Sequence, residues 1–206
     1  MNEQTVGRAD ALPRVRLTTS EVQRVTEGAR ALLAAHFLAL PPEDRRLRFG
    51  ASLSGDSVIA YADRIDFGRD AVFGVFDNDL AAVGIAHVAF GPGNAELGLS
   101  VLPGQRGRGA GSALFARAAE HVRNRSVSSL FMHCLAENAA IMHIARKSGM
   151  HIVAAAGDVD AHLSLAPASP LSITGEYLVD RLALYDYALK SHVSTLRRIN
   201  TALEEA

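Results

Sequence analysis

The chain has 206 residues, 49% hydrophobic and 21% charged, a composition that suits one globular domain with a sizeable core and room for an appended element. Its 21 basic and 22 acidic residues leave a formal net charge of −1, so no general basic field exists to hold nucleic acid. A single cysteine, Cys134, excludes an internal disulfide framework and suits a reducing compartment. No apolar run is long enough to span a membrane, and Met1-Asn2-Glu3-Gln4 lacks a secretion pattern, so a cytoplasmic protein is expected.

In chain order, residues 1–13 are polar without periodicity and read as a flexible N-terminus; Arg14 to Leu17 reads as a short strand. Ser20 and Gln23 form a capping-box pair ahead of Val22, Val25, Ala29, Leu33, Phe37 and Leu40, which predicts a helix ended by Pro41-Pro42. A second helix is expected from about Asp56 to Asp66, with Ile59, Ala62 and Ile65 turned inward. Ala71–Phe76, Leu80–Phe90 and Ala95–Val101 read as three strands joined by the turns Asp77-Asn78-Asp79 and Gly91-Pro92-Gly93-Asn94, hence an antiparallel meander.

The third strand alternates, with Glu96, Gly98 and Ser100 on one face and Leu97, Leu99 and Val101 on the other. Pro103 ends it, and Gly104-Gln105-Arg106-Gly107-Arg108-Gly109-Ala110-Gly111 opens a helix that carries Leu114, Phe115, Ala118, Ala119 and Val122 on one stripe. Strand, glycine-rich loop and helix N-terminus aim free backbone N–H groups at one point, which is the physical recipe for holding a phosphate. No Gly-Lys-Ser/Thr follows, so this is not an ATP-binding loop, and the glycine spacing is not that of the dinucleotide fingerprint. Beyond the helix, Val127–Leu135 should run parallel to Ala95–Val101. A short helix, Asn138–Ser148, and two closing strands, His151–Ala155 and Ala161–Leu165, follow.

Arg106-Gly107-Arg108-Gly109-Ala110-Gly111 resembles the acyl-CoA pyrophosphate loop of the GNAT N-acetyltransferase superfamily, Q/R-x-x-G-x-G/A, at every specified position. Asn138-x-x-Ile141-x-x-Ile144-Ala145-Arg146-Lys147-Ser148-Gly149-Met150 resembles that superfamily's later segment N-x-x-A-x-x-x-Y-x-K-x-G-F through Asn138, Lys147 and Gly149. Pro42 to Phe49 partly resembles the D/S-R-Y-L-R-F segment near the acceptor side of one GNAT subset, with Arg46 in place of the aromatic; a solvated basic turn is the other reading. The resemblance implies a GNAT acyl-CoA N-acyltransferase fold, α/β (α+β), over residues 14–166. Its mixed central sheet would be flanked by helices, with a linker and amphipathic helix in 167–206.

For function, the resemblance implies transfer of an acetyl group from acetyl-CoA to a primary amine acceptor, a small molecule or a protein lysine, by direct attack in a ternary complex. The cofactor would lie on Leu99, Val101, Arg106, Gly107, Arg108, Gly109, Ala110, Gly111, Ser112 and Asn138. Amine acylation needs a proton acceptor, and Glu96 stands on the strand where the superfamily commonly carries its base. At the position where the superfamily often carries a proton-donating tyrosine stands Ala145, so the alternatives are His143, Ser148, water, or a thiolate that leaves without a dedicated acid. That departure keeps open a second reading, an acyl-CoA-binding regulatory module without efficient turnover. His87 and His133 fall in strands near the expected site, as substrate contacts or as histidines satisfied by backbone; Cys134 is read as a small buried residue, and no histidine spacing indicates a metal site.

Leu178, Leu182, Tyr185, Leu189, His192, Leu196, Ile199 and Leu203 recur at alternating steps of four and three, a heptad seam within a long helix expected over Glu176–Ala206. The seam either packs on the chain's own domain or pairs with a second copy. A third reading, a structural protein acting through this helix, leaves the glycine loop unexplained.

Overall fold

The structure, a computed structural model, describes residues 17–155 and 157–204. A seven-stranded sheet runs in the order β1-β2-β3-β4-β5-β7-β6, formed by Gln23–Val25 (β1), Ala71–Phe76 (β2), Ala82–Phe90 (β3), Asn94–Val101 (β4), Ser129–Leu135 (β5), His151–Ala155 (β6) and Asp158–Ser164 (β7). β2, β3 and β4 form the expected antiparallel meander, and β4 and β5 are parallel because the helix Ala110–Asn124 (α4) crosses between them. This is the mixed, helix-flanked α/β sheet expected from the sequence.

The strands alternate their side chains between two cores. On one face Phe73, Val88, Leu97 and Leu99 pack against Leu114, Phe115, Ala118 and Val122 of α4, with Ile144 and Ala145 of the helix Ala139–Lys147 (α5). On the other, Val72, Phe76 and Ile85 meet Leu33, Phe37 and Leu40 around Arg30–Ala39 (α1) and Val58 and Ala62 of Gly55–Arg64 (α3). All six residues of β2 are therefore buried, which is why the run is apolar rather than alternating.

Three expectations are corrected. The first amphipathic helix does not begin near Ser20: Gln23–Val25 is strand β1, in register with Val72 to Gly74 of β2, and the helix starts at Arg30. Pairing with a buried central strand, and the β-branched Val22, Val25 and Thr26, outweigh the apparent helical stripe. The capping interaction is Thr18 N–H to the Glu21 carboxylate at 2.9 Å, opening a single 3-10 turn. In α3, Val58 rather than Ile59 is buried; Ile59 is 40% exposed. The flexible terminus and the residues Arg14 to Arg16 of the first expected strand lie outside the described residues.

The C-terminal helix, Pro170–Glu204 (α6), starts earlier than expected, with Pro170 at its first position and the Ser169 hydroxyl accepting from Ser172 N–H at 3.1 Å. It docks on α4 through polar groups. Arg117, fully buried over the Phe73 ring, reaches Glu176 at 3.1 Å and also Asp180. His121 Nδ1–H donates to Glu176 at 2.6 Å, its Nε2 accepting from Arg125, and Asn124 donates to the other Glu176 oxygen at 2.7 Å. Burial works against the Glu176 charge, but the hydrogen bonds from His121 and Asn124 and the charge of Arg117 overcome it and hold the carboxyl at about 2. The heptad seam is therefore not the face that packs on the domain: Leu182, Tyr185, Leu189 and Leu196 are 56%, 70%, 67% and 66% exposed.

Candidate active site

β4 and β5 are in register only at Asn94, Ala95 and Glu96, opposite Ser129, Leu130 and Phe131, and beyond Glu96 the two strands part. Leu102 N–H donates to Val83 C=O at 2.9 Å, so the alternation of an antiparallel ladder turns the N–H and C=O of Leu99 and Val101 away from β3. They look into the gap that β5 has vacated. An unpaired stretch of strand in the middle of a sheet is a cost unless something pairs with it.

At the end of this gap stands the glycine loop. Gly107 and Gly109 adopt φ of +75° and +88°, which side-chain-bearing residues rarely do. Among the described residues, no backbone carbonyl accepts from the N–H groups of Gly107 to Ser112, and the α4 N-terminus has no side-chain cap. Gly111 lets α4 approach α5, since a Cβ there would lie 2.9 Å from Ile144 Cδ1. The cofactor residues expected from the sequence, Leu99, Val101, Arg106 through Ser112 and Asn138, all line one cavity of about 700 Å³. The cavity has an unpaired strand edge along it and a cluster of N–H donors with a helix dipole at one end. It fits a long ligand with a peptide-like arm and an anionic terminus.

Asn138 is the N-cap of α5: its carbonyl oxygen accepts from Ile141 N–H at 3.2 Å and its amide donates to Leu47 C=O at 3.2 Å. It thus ties α5 to the segment 42–49. That segment is a helix, Pro42–Phe49 (α2), and its arginines are half-buried and partnered within the chain. Arg45 donates to the carbonyls of Leu38 and Leu40 at 3.0 and 3.3 Å. Arg46 pairs with Glu43 at 2.7 Å and with Glu137 at 2.5 Å, beside α5. Asp44 pairs with Arg106 of the glycine loop at 2.8 Å. α2 therefore bridges the two sides of the gap, which rules out the solvated-turn reading.

Arg48 lies deepest. Its guanidinium sits over Gly98, where a Cβ would be 2.3 Å from Nη2, and stacks near the rings of Phe37, Phe49 and Tyr61 at 4.9–5.6 Å. Nη2 donates to the Tyr61 hydroxyl at 3.1 Å; Nε is buried with no partner among the described residues, where Arg48 forms no ion pair, although Glu96 lines the same small cavity. Arg48, with Leu47, Leu99, Asn138 and Ile141, forms the wall between the large cavity and a second one of about 300 Å³.

Glu96, exposed, lines the smaller cavity with Tyr61, Gly98 and His133. His133 pairs with Asp160 at 2.8 Å, and that hydrogen bond raises its pKa. Cys134 is buried beside Met142 and Val159, and burial pushes its thiol pKa up, which disfavours a thiolate nucleophile. Ala145 is buried in the core and Ser148 is not on the cavity wall, whereas His143 and Lys147 are. His87 is satisfied by side chains rather than by backbone: Tyr61 at Nδ1, 2.7 Å, and Asp70 at Nε2, 3.1 Å. Sequence reasoning reached Arg48 only as part of the Pro42–Phe49 resemblance and gave no sign of Tyr61 and Asp70, because they come from separate elements.

The family model for the GNAT acetyltransferase family matches residues 38–150, the stretch from the end of α1 to the start of β6. Among solved structures, the GNAT domain of S. lividans PAT superposes with a TM-score of 0.60 at 20% identity, covering 70% of this chain and 89% of that one. The yncA protein of Salmonella typhimurium, solved with its cofactor acetyl-CoA, has a TM-score of 0.56 at 14% identity over 72% of this chain and 95% of its own. The ribosomal-protein-alanine N-acetyltransferase of Brucella melitensis follows with 0.53, 20% identity, 70% and 99%. No curated protein sequence matches. With more than half of its length under the family model and the parted strands and glycine loop in place, the chain belongs to the GNAT acetyltransferase family.

Proposed function

We propose that the protein moves an acetyl group from acetyl-CoA to a primary amine by direct attack in a ternary complex. The observation that carries the reading is the single cavity in which the unpaired edge at Leu99 and Val101 runs into the free N–H groups of the glycine loop. Bound acetyl-CoA supplies an activated thioester. Gly107 to Ser112 would hold its pyrophosphate, and Leu99 and Val101 would pair with its pantetheine amides. Arg48 and Leu99, which line both cavities, would then stand where the acyl end and the acceptor come together. Glu96 faces that cavity and serves as proton acceptor for the amine, through water where the distance requires it. Of the side chains that α5 itself presents to the large cavity, His143 and Lys147 carry titratable protons, and His143 is the candidate donor to the departing sulfur.

Thiol release from acetyl-CoA over a panel of amines and peptides tests the reaction. Turnover with at least one acceptor, and a fall of about 100-fold in kcat/KM for Glu96→Gln, is expected. Protection of the Gly107–Ser112 amides by CoA in hydrogen exchange, without turnover on any acceptor, is the outcome of the second reading, an acyl-CoA-binding regulatory module. Ala145, where the family often has a tyrosine, is the feature that favours it. A cytoplasmic location suits the free thiol of Cys134.

For the exposed seam of α6 we propose a second copy as partner. In a parallel pair Leu182, Tyr185, Leu189 and Leu196 meet their own counterparts. Arg181 precedes one seam position and Asp186 follows the next, so Arg181 would face Asp186 of the partner subunit across the seam. Sedimentation should give twice the chain mass, reduced to one chain in Leu182→Asp/Leu189→Asp; a monomeric parent protein ends the idea.

A further inference from the structure

The smaller cavity is lined by Tyr61 as well as by Glu96. Four side chains form a line from its wall into the protein: Arg48, Tyr61, His87 and Asp70. Their order fixes the protons. The buried Asp70 carboxylate can only accept, and it also takes Arg69 Nε at 3.2 Å and Phe90 N–H at 3.4 Å. His87 Nε2 therefore carries a proton toward Asp70, its Nδ1 is an acceptor, and Tyr61 donates to it at 2.7 Å. Arg48 donates to the Tyr61 oxygen, which keeps a further lone pair toward the cavity. A hydroxyl, an imidazole and a buried carboxylate in this sequence are the parts of a catalytic triad, with tyrosine in the position of the hydroxyl.

We infer that Tyr61, backed by His87 and Asp70, takes the first proton from an acceptor that arrives as an ammonium ion, leaving the second to Glu96. The inference rests on the amine-acylation reading above. An ammonium must lose one proton before its nitrogen can attack and another as the amide forms. The first passes to the Tyr61 oxygen while the Tyr61 proton passes to His87 Nδ1, and the resulting imidazolium is held by Asp70. The nitrogen lone pair then forms the C–N bond, and the C–S electron pair leaves on sulfur. The second N–H proton moves to the Glu96 side, sulfur takes up one proton through water from His143, which Glu96 replaces with the one it accepted, and His87 returns its own through Tyr61 to water once the amide has left. The balance is one ammonium and one thioester giving one amide, one thiol and one proton.

The surroundings fit this task. Burial, with the charges of Arg48 and Arg69, lowers the His87 pKa, so the ring rests neutral with its Nδ1 lone pair free, and the imidazolium that forms depends on the Asp70 hydrogen bond; the groups that face it are Tyr61 and Arg48 from α3 and α2, and Asp70 and Arg69 from the segment before β2. The charge of Arg48 beside the Tyr61 hydroxyl disfavours a bound ammonium relative to a neutral amine, and it acts on the His87 imidazolium in the same sense, so the Asp70 carboxylate is what the relay relies on to hold the proton.

The test is the pH dependence of kcat/KM for the full chain with acetyl-CoA and its best monoamine. Tyr61→Phe, which keeps the ring packed on Phe37 and Phe49, should lose about 100-fold near neutral pH and recover most of it as the pH approaches the pKa of the free amine. Asp70→Asn should behave the same way, because an amide donor at Nε2 forces the His87 proton to Nδ1 and blocks the transfer. Glu96→Gln should lose activity without that recovery at high pH. If both Tyr61→Phe and Asp70→Asn keep the acid limb of the parent protein, or lose activity equally at every pH, the relay is overturned while amine acylation stands. If the parent protein acylates no amine, both fall.

Discussion

Two arginines sit on opposite faces of the same sheet, and they have been treated in opposite ways. Arg117, under α6, is fully buried and meets two carboxylates, Glu176 and Asp180. Arg48, under α2, lies among three aromatic rings and over Gly98, with only the Tyr61 hydroxyl as a side-chain hydrogen-bond partner among the described residues. A charge that is matched within the chain holds elements together. A charge left unmatched beside a cavity is available to a substrate. The α4–α6 contact thus holds elements together, whereas Arg48 on the α1–α3 face is left for the proposed chemistry, although both faces are covered by helices and both bury histidines.

The largest expected effect is the difference between Arg117→Met and Arg48→Met in urea denaturation. Removing Arg117 leaves Glu176 and Asp180 without their cation and should cost about 3 kcal/mol. Arg48→Met strands no carboxylate and should cost about 1 kcal/mol or less, through lost stacking on the rings, while lowering kcat/KM by more than about tenfold. Equal losses of stability would erase the distinction between the two faces.

Acid should separate the faces as well. His36 of α1 donates from Nδ1 to Ala82 C=O at 2.8 Å and accepts from the Ser100 hydroxyl at 2.9 Å, and burial lowers its pKa from 6.5 to about 4. A depressed folded value means its contribution is complete above about pH 6.5 and lost as the pH falls to about 4. Glu176, at about 2 against an ordinary 4.5, contributes fully above pH 4.5 and loses that contribution toward pH 2. Burial lowers the His121 pKa as well, so both faces weaken below about pH 6.5, and what sets α6 apart is the further loss of Glu176 as the pH falls from 4.5 toward 2. Hydrogen exchange should show α1 loosened by up to about 3 kcal/mol by pH 4 and the α6 docking still weakening below it; an α6 docking unchanged between pH 4.5 and 2 would contradict the assignment of charges.

A smaller and more local effect is expected from Gly98→Ala. The new Cβ would stand 2.3–2.7 Å from the guanidinium atoms of Arg48, the movable end of a flexible chain. The melting temperature should hardly move, while kcat/KM falls about tenfold as Arg48 is pushed from its place. Unfolding of this variant would mean that Arg48 is part of the fold rather than of the site.

Much of the scaffold was legible because it is local. The meander, the glycine loop and α4 announce themselves through alternation, glycine spacing and a 3.6-residue stripe, and each lies within about 30 residues of chain. β1 was not legible, because Gln23–Val25 becomes a strand only by pairing with β2, nearly fifty residues on. The heptad seam was read correctly as a pattern, yet which face would dock could not be read. The docking face is built from Glu176 and Asp180, whose partners Arg117 and His121 lie on α4. The same limit hid the line from Arg48 to Asp70. Its members come from α2, α3, a loop and β3, and no spacing along the chain brings a tyrosine, a histidine and an aspartate together.

Arg106 reaches across the mouth of the large cavity to Asp44, and Arg46 on the same short helix reaches Glu137 on the other side. The glycine loop thus carries a cation already paired with a carboxylate of α2, while Nε of the same Arg106 side chain donates to Val101 C=O at 3.0 Å. Asp44 lies on the helix that also carries Arg48, so one element of eight residues touches the glycine loop, the segment before α5 and the wall of the smaller cavity at once.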